Sequence, residues 1–285
     1  MERIVSTDIN FTYDILTDCV EKLNEKYPFI RIFEIGKSVL GKSIYALAIG
    51  EGKNEVMYNG SHHANEWITT NLLMRFIEQY SDAYANGDSV ANRIFEETTL
   101  YIVPMVNVDG VDLLAKGTVS DDWKANARGV DLNLNYPATW EVARDIKFAQ
   151  GYTMPGSRDF VGEYPLSEPE TRTMARFTRE HNFSLTLSFH TQGEVIYWKY
   201  LDFAPPNAEK IAGIFSKLSR YDLENTPYES GHAGYKDWFI KEYNRPSYTI
   251  ECGLGENPLP IERFGKIYRD NVGILISAAL VDTSI

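Results

Sequence analysis

The sequence contains few cysteines and no long apolar run. Its two cysteines, Cys19 and Cys252, are too few for a disulfide framework, so we expect both thiols to be free. The apolar stretch 272–280 is far shorter than the roughly 20 residues that a membrane-spanning helix needs. We therefore predict a buried helix at that position and no association with a membrane.

Positive charge is scarce as well. Lys and Arg number 28 against 40 Asp and Glu, which gives a formal net charge of −12 and a sequence pI near 5.0. Nucleic acids and anionic membranes bind clustered cations, so we expect neither as a partner. Residues 1–8 lack a basic region followed by an apolar run and so show no secretory signal. We expect a cytoplasmic protein, or an extracellular or spore-associated one if the chain is a fragment of a longer exported protein.

The hydrophobic pattern predicts strands that alternate with helices. The segments Ser43–Ile49 and Ser247–Glu251 are typical of strands, whereas residues 68–84 and 261–282 have helical spacing. With 44% hydrophobic residues and no repeat or linker, 285 residues can bury one large core. We predict an α/β fold in a single domain, residues 1–285, with a mixed, largely parallel twisted sheet and helices on both faces.

A histidine and a carboxylate three residues apart mark the strongest candidate site. Residues 58–67, Tyr-Asn-Gly-Ser-His-His-Ala-Asn-Glu-Trp, join a predicted strand to a predicted helix, and His63 and Glu66 would share one face of a helical turn there. Zinc in hydrolytic sites takes three protein ligands, commonly two His and one Glu, and keeps a fourth position for water. His190 ends a predicted buried strand, where active-site residues gather, and can supply the third ligand. His62 is four residues from Glu66, so spacing alone leaves His62 and His63 as alternatives.

Four ordered motifs together resemble the zinc metallocarboxypeptidase family. They are His63-x-x-Glu66-Trp67, Gly129-Val-Asp131-Leu-Asn133-Leu-Asn135-Tyr136-Pro137, Ser188-Phe-His190 and Tyr248-Thr-Ile-Glu251. Two segments are similar in sequence to the bacterial γ-D-glutamyl-diamino acid endopeptidase branch, which cuts peptidoglycan peptides. They are residues 60–70 and Trp123-Lys-Ala-Asn-Ala-Arg128-Gly-Val-Asp. The resemblance extends from Tyr13 to the last predicted helix. It implies an eight-stranded sheet and a Zn²⁺ ion held by His63, Glu66 and His190.

The resemblance also implies roles for residues around the metal. Glu251 is then the general base, and Arg128 stabilises the oxyanion, with Lys124 as the alternative cation. Asp131 hydrogen-bonds a zinc-binding histidine and fixes its ring, although its Asp/Asn-rich context alone is equally typical of a turn. Apart from any resemblance, a carboxylate such as Glu251 in an apolar strand is costly unless it is partnered or used.

One position departs from the family pattern. Typical carboxypeptidases have Asn-Arg where this chain has Asn133-Leu134, and the arginine grips the terminal carboxylate of the substrate. Leucine cannot do that, which favours cleavage inside a peptide. The resemblance implies that Asn133, Lys236 and Tyr228 contact substrate, with Lys236 facing an acidic group such as the extra carboxylate of diaminopimelate.

These patterns predict a zinc metallopeptidase that hydrolyses the γ-D-glutamyl-diaminopimelate bond of peptidoglycan peptides. Its partner is then a muropeptide or peptide substrate. Two alternatives stay open: a zinc carboxypeptidase that removes a C-terminal amino acid, and an inactive muropeptide-binding domain.

Overall fold

A mixed sheet of eight strands lies at the centre of the computed structural model, which describes residues 3–281 and 283. The strands are β1 (Arg31–Lys37), β2 (Ser43–Ile49), β3 (Asn54–Gly60), β4 (Thr98–Val103), β5 (Leu185–His190), β6 (Val195–Tyr197), β7 (Asp222–Glu224) and β8 (Ser247–Glu251). Their order across the sheet is β1-β2-β4-β3-β5-β8-β6-β7. Strands that are neighbours in the sheet are therefore often distant in sequence.

Parallel pairing forms the middle of the sheet. β3 pairs in parallel with both β4 and β5, and β5 pairs in parallel with β8. Antiparallel pairs join β1 to β2, β2 to β4, and β6 to β8. All residues of β4 and β5 are buried, although successive side chains of a strand point to opposite faces, so both faces of the central sheet are covered. The predicted α/β fold with an eight-stranded mixed sheet is confirmed.

Nine α-helices of the described residues pack around this sheet. They are α1 (Tyr13–Lys26), α2 (Ile68–Ala85), α3 (Ser89–Glu97), α4 (Val108–Ala115), α5 (Trp140–Ala149), α6 (Pro169–Glu180), α7 (Ala208–Ser219), α8 (Tyr235–Tyr243) and α9 (Phe264–Leu280). Helix α9 packs against α2 and α7 and buries Ile274 and Leu275, whereas α8 packs against β5 and β8.

The clearest sequence patterns predict the observed elements, whereas several short elements are not predicted. β2 and β8 have the predicted bounds, and α2 begins at the predicted Ile68. The predicted closing helix 261–282 divides into a short 3₁₀ turn, Ile261–Arg263, and α9, while its predicted end at Asp282 lies outside the described residues. Helices α3, α4 and α5 and strand β7 are not predicted. They have 9, 8, 10 and 3 residues, too few for a clear period.

The two cysteines and the apolar C-terminal stretch are part of the core. Cys19 and Cys252 are free and buried. Residues 272–280 lie within α9, as the pattern predicts. Among the described residues, no helix combines the length and the apolar character that crossing a bilayer requires.

Candidate metal centre

Three neighbouring strands bring the candidate residues together. β3, β5 and β8 are parallel neighbours, so their C-terminal ends lie at the same edge of the sheet. His190 is the last residue of β5 and Glu251 the last of β8, and the two are partners in the strand register. β3 ends at Gly60, just before the segment that carries His63 and Glu66. Strand ends of this kind are the usual position of a site in an open α/β sheet.

A tight turn between β3 and α2 presents the first two candidates. Ser61 has a φ of 51°, its side chain hydrogen-bonds with Thr70 Oγ1 (2.8 Å), and its backbone N–H donates to Thr69 Oγ1 (2.8 Å). The hydroxyl groups in the first turn of α2 thus hold the chain where it leaves β3. His63 then precedes a single 3₁₀ turn, Ala64–Glu66, which brings its ring against the Glu66 carboxylate.

The Glu66 carboxylate lies between two imidazole rings. Its Oε1 is 2.7 Å from His63 Nδ1, and its Oε2 is 2.8 Å from His190 Nδ1. The two Nδ1 atoms are 3.3 Å apart, and the ligand atoms of the three residues lie within 4.8 Å of one another. All three side chains are buried. One carboxylate oxygen and two ring nitrogens therefore converge on one small volume.

These three side chains fit zinc. Two histidines and one glutamate are a common donor set of catalytic zinc sites. Among the residues that the structure describes, they form the one group of three or more His, Cys, Asp or Glu side chains close enough to hold a metal ion. His190 Nε2 is buried and has no hydrogen-bond partner among the described residues. The ring therefore makes its polar contacts through Nδ1, which faces the cluster.

Asp131 holds the far side of the His63 ring. Its Oδ1 is 3.0 Å from His63 Nε2 and also accepts a hydrogen bond from Asn133 N (3.1 Å). A carboxylate against the second ring nitrogen fixes the tautomer and orientation of a metal-binding histidine. The structure also distinguishes His63 from His62, which spacing leaves equivalent. His62 Nε2 lies 3.0 Å from the Tyr136 hydroxyl, and His62 is not part of the group of three.

Opposite charges set the protonation of the cluster. Burial alone would lower the pKa of His63, but the charges of Glu66 and Asp131 raise it to about 9. Burial also opposes the charged form of Glu66, yet His63 and His190 hold the pKa of this carboxyl well below its usual value. The Glu66 carboxylate is therefore a buried anion between the imidazole rings of His63 and His190. A metal ion that binds this cluster must displace any proton on the His63 ring.

A cavity of about 230 Å³ opens beside the cluster, and both His63 and Glu251 line it. Burial, reinforced by the charge of Glu66, raises the pKa of Glu251 to about 8. A dication among the ligands would lower this pKa again, because positive charge favours the carboxylate form. Lys124 lines the same cavity, with its Nζ 3.7 Å from Asp131 Oδ2. The cavity therefore contains a carboxylate and an ammonium group next to the candidate metal ligands.

Arg128 lies away from the cavity, and its predicted position at the oxyanion is corrected by the structure. Its side chain is 55% exposed, with Nη1 3.7 Å from Glu168 Oε2. The backbone N–H groups of Arg128 and Val130 both donate to Asn126 Oδ1, which closes a turn and leaves the arginine at the surface. Lys124, the alternative cation, is the one beside the cluster.

Tyr228, which is predicted to contact substrate, is not among the residues that line the cavity. It is 61% exposed, and its ring packs edge-on against His232 with the ring centroids 4.8 Å apart. The residue begins a 3₁₀ turn, Tyr228–Ser230, in which Ser230 and the preceding Pro227 line the cavity instead. The loop is therefore part of the cavity wall, but its tyrosine faces solvent.

The other two residues predicted to contact substrate, Asn133 and Lys236, line the cavity. Asn133 Oδ1 accepts a hydrogen bond from Tyr235 N (3.0 Å) at the start of α8. Lys236 is buried, and its Nζ donates to Lys199 O (2.6 Å) and forms an ion pair with Asp237. Lys236 is therefore a paired cation and not a solvated lysine.

A second ion pair at the cavity gives little signal in the sequence. Lys147 of α5 and Asp159 both line the cavity, with Nζ 2.9 Å from Oδ1. Lys147 shares the buried face of α5 with Trp140 and Ala143, so a lysine within an apolar helical stripe is the available signal. Asp159 lies outside any helix or strand, with a φ of 64°, and no pattern marks it.

Comparison with known proteins agrees with this site. The model of the zinc carboxypeptidase family matches residues 16–272. Gamma-D-glutamyl-L-diamino acid endopeptidase 1 of Lysinibacillus sphaericus is 40% identical over 299 aligned residues, which cover 96% of this chain and 74% of that protein. Protein YqgT of Bacillus subtilis (strain 168) is 36% identical over 280 residues, covering 90% of this chain and 73% of that protein.

The fold is also similar to that of a solved structure. Bovine thrombin-activatable fibrinolysis inhibitor in complex with tick carboxypeptidase inhibitor superposes with a TM-score of 0.78 at 20% identity, over 96% of this chain and 97% of that chain. The family match spans most of the sequence and includes all three side chains that could hold a metal ion. The chain therefore belongs to the zinc carboxypeptidase family and is a zinc metallopeptidase, a hydrolase.

Proposed function

We propose that the protein is an endopeptidase that hydrolyses the bond between γ-D-glutamate and diaminopimelate in peptidoglycan peptides. The relative at 40% identity is named as a gamma-D-glutamyl-L-diamino acid endopeptidase, and the match extends over 96% of this chain. The proposal rests above all on one observation at the cavity, the presence of Leu134 in its wall.

Leu134 occupies the position at which an arginine would hold the terminal carboxylate of a peptide. It packs in a small apolar cluster with Trp140, Ala143, Val161 and Ala233. An arginine binds a carboxylate through two parallel hydrogen bonds, whereas leucine offers none. At this position the cavity lacks the paired hydrogen bonds that an arginine would give a terminal carboxylate, which supports cleavage within a peptide.

Glu251 and Lys124 are placed to act on the scissile amide. Zinc held by His63, Glu66 and His190 would supply Lewis acidity at the scissile carbonyl. The ionised Glu251 accepts a proton from the attacking water and returns it to the leaving amine nitrogen. Lys124 lines the same cavity and stabilises the negative charge that develops on the carbonyl oxygen. Asp131 keeps the His63 ring in one orientation throughout.

Paired charges at the start of α8 suit a diamino acid with a carboxylate. Lys236 and Asp237 form an ion pair, and both line the cavity. The side chain of diaminopimelate ends in an ammonium and a carboxylate, which can contact Asp237 and Lys236 respectively. Lys236 Nζ has three N–H donors and uses two, on Asp237 and the Lys199 carbonyl, so one is left for substrate. This pairing supports diaminopimelate over lysine, whose side chain has no carboxylate.

Exchange of Lys124 for methionine should lower kcat about 10²–10³-fold, because removal of one donor from an oxyanion site typically costs this much. The same exchange at the exposed Arg128 should change kcat by no more than about a factor of two, as surface substitutions usually do. Both variants are compared by kcat on one γ-linked peptide, with zinc content measured in parallel. A large loss in Arg128→Met with little change in Lys124→Met would return the oxyanion role to Arg128.

A defined tetrapeptide tests the function itself. Zinc-loaded protein is incubated with L-Ala-γ-D-Glu-diaminopimelyl-D-Ala, and the products are identified by mass. We expect L-Ala-D-Glu and diaminopimelyl-D-Ala. Release of D-Ala alone would identify a carboxypeptidase, and binding without cleavage of this or of α-linked peptides with aromatic or basic C-termini would identify an inactive muropeptide-binding domain.

A further inference from the structure

Lys147 projects from the buried face of α5 into the cavity wall. This face, formed with Trp140 and Ala143, packs against Leu134 and Val161. Lys147 is only 7% exposed and lines the same cavity as Leu134 and Glu251. A cation thus stands near the leucine, although it comes from a different element of the fold.

Lys147 shares its carboxylate partner with a second cation. Its Nζ is 2.9 Å from Asp159 Oδ1, while Asp159 Oδ2 already accepts a hydrogen bond from Arg158 Nε (2.7 Å). Two cations therefore share one carboxylate, which leaves an excess of positive charge in a protein of net charge −12. Among the described residues, Lys147 Nζ forms an ion pair with Asp159 and lies over the Tyr152 ring, 6.0 Å from its centroid, so one of its three N–H donors is left for a ligand.

This ion pair shares the cavity with the residues beside the metal ligands. Lys147 and Asp159 line the same cavity as Lys124, Asp131 and Glu251. A buried ammonium with a free N–H donor in a cavity wall can bind an anionic group of a substrate.

A γ-linked glutamate carries an anionic group of this kind. The peptide chain continues through the side-chain carboxyl group of this residue, so its α-carboxylate is free. Three carbon atoms, Cα, Cβ and Cγ, separate that carboxylate from the scissile carbonyl carbon. An α-linked residue has no free main-chain carboxylate at that place. Resting on the function proposed above, we infer that Lys147, held in position by Asp159, binds the α-carboxylate of the γ-D-glutamyl residue and so distinguishes a γ-linked peptide from an ordinary one.

Two tetrapeptides that differ in this one group provide the test. The first is L-Ala-γ-D-Glu-diaminopimelyl-D-Ala, and the second carries D-isoglutamine, whose α-carboxyl group is an amide. The wild-type protein should prefer the carboxylate. Lys147→Met should lower kcat/KM for the carboxylate peptide about 10- to 100-fold, mainly through KM, because one charge-assisted hydrogen bond is lost. The preference over the amide should disappear, and Lys147→Arg should retain part of it.

Lys236→Met is the matched control, since it makes the same exchange at another buried lysine of the cavity. It should lower kcat/KM for both peptides by the same factor and preserve the preference. Thermal unfolding of each variant reports its folded fraction, and Lys147→Gln replaces the methionine variant if that one does not fold. A wild-type protein that cleaves neither peptide would overturn the proposed function. Cleavage without preference for the carboxylate, or an equal loss on both peptides in Lys147→Met, would overturn the role of Lys147 alone.

Discussion

Replacement of Glu251 by glutamine is expected to lower kcat about 10²–10⁴-fold without loss of zinc. The amide keeps the size of the side chain at the end of β8, but it cannot accept a proton from the attacking water. Glu251 is not one of the three side chains that could hold the metal, so the ion should stay bound. Turnover of the γ-linked tetrapeptide and zinc content per chain, measured on one preparation, check both parts.

The same exchange at Glu170 provides the control. Glu170 is fully buried and accepts hydrogen bonds from Val39 N (3.0 Å) and Asn126 Nδ2 (3.2 Å), and burial raises its pKa to about 7. Glu170→Gln loses one of these hydrogen bonds, but Glu170 lies outside the cavity lining and the metal cluster, so the variant should keep its zinc and most of its turnover even if its stability falls. Undiminished activity in Glu251→Gln, or an equal loss in both variants, would remove Glu251 as the base.

The metal cluster can be located from the sequence because its signals are local. His63 and Glu66 share one turn between a strand and a helix, and His190 and Glu251 each end an apolar strand. Parallel strands carry their last residues to a common edge, so the pattern of strands predicts that these side chains meet. The observed sheet places them as that reasoning requires.

The cations around the cavity cannot be assigned in the same way. Lys124 and Arg128 are four residues apart in a segment without helix or strand, and only hydrogen bonds to other segments decide which one faces the cluster. Ala64 N donates to Lys124 O, which ties that residue to the turn carrying His63, whereas Asn126 closes the turn that leaves Arg128 outside. Such contacts depend on the folded chain and leave no period or motif in the sequence.

Ion pairs between distant segments are hidden for the same reason. Lys147 belongs to the short helix α5, and Asp159 belongs to the irregular segment after it. Lysine and aspartate are ordinary surface residues, so neither position alone indicates a buried ion pair. Their burial becomes apparent only when α5 packs on the segment that contains Leu134. The sequence therefore predicts the metal ligands and the cavity residues Asn133 and Lys236, but not the ion pair of Lys147 and Asp159.

His190→Asn should weaken zinc binding about 10²–10³-fold and lower turnover at limiting zinc accordingly. Four-ligand zinc sites bind with roughly 10–16 kcal/mol, or about 2.5–4 kcal/mol per ligand, and a loss of one ligand costs a share of that size. Glu66 would keep only His63 as its ring partner, so the donor set would fall below the three that a catalytic site uses. Competition with a chromogenic chelator gives the zinc affinity.

The matched exchange His181→Asn separates loss of a ligand from damage to the fold. His181 follows α6, packs against Phe183 and contacts Glu55 at 3.1 Å, at a place that includes none of the cluster residues. It should leave zinc affinity unchanged even if stability falls. Excess zinc should restore part of the turnover of His190→Asn, because Glu251 and Lys124, the proposed base and the proposed oxyanion cation, are intact. Unaltered zinc affinity in His190→Asn, or the same loss in His181→Asn, would show that the metal is held elsewhere.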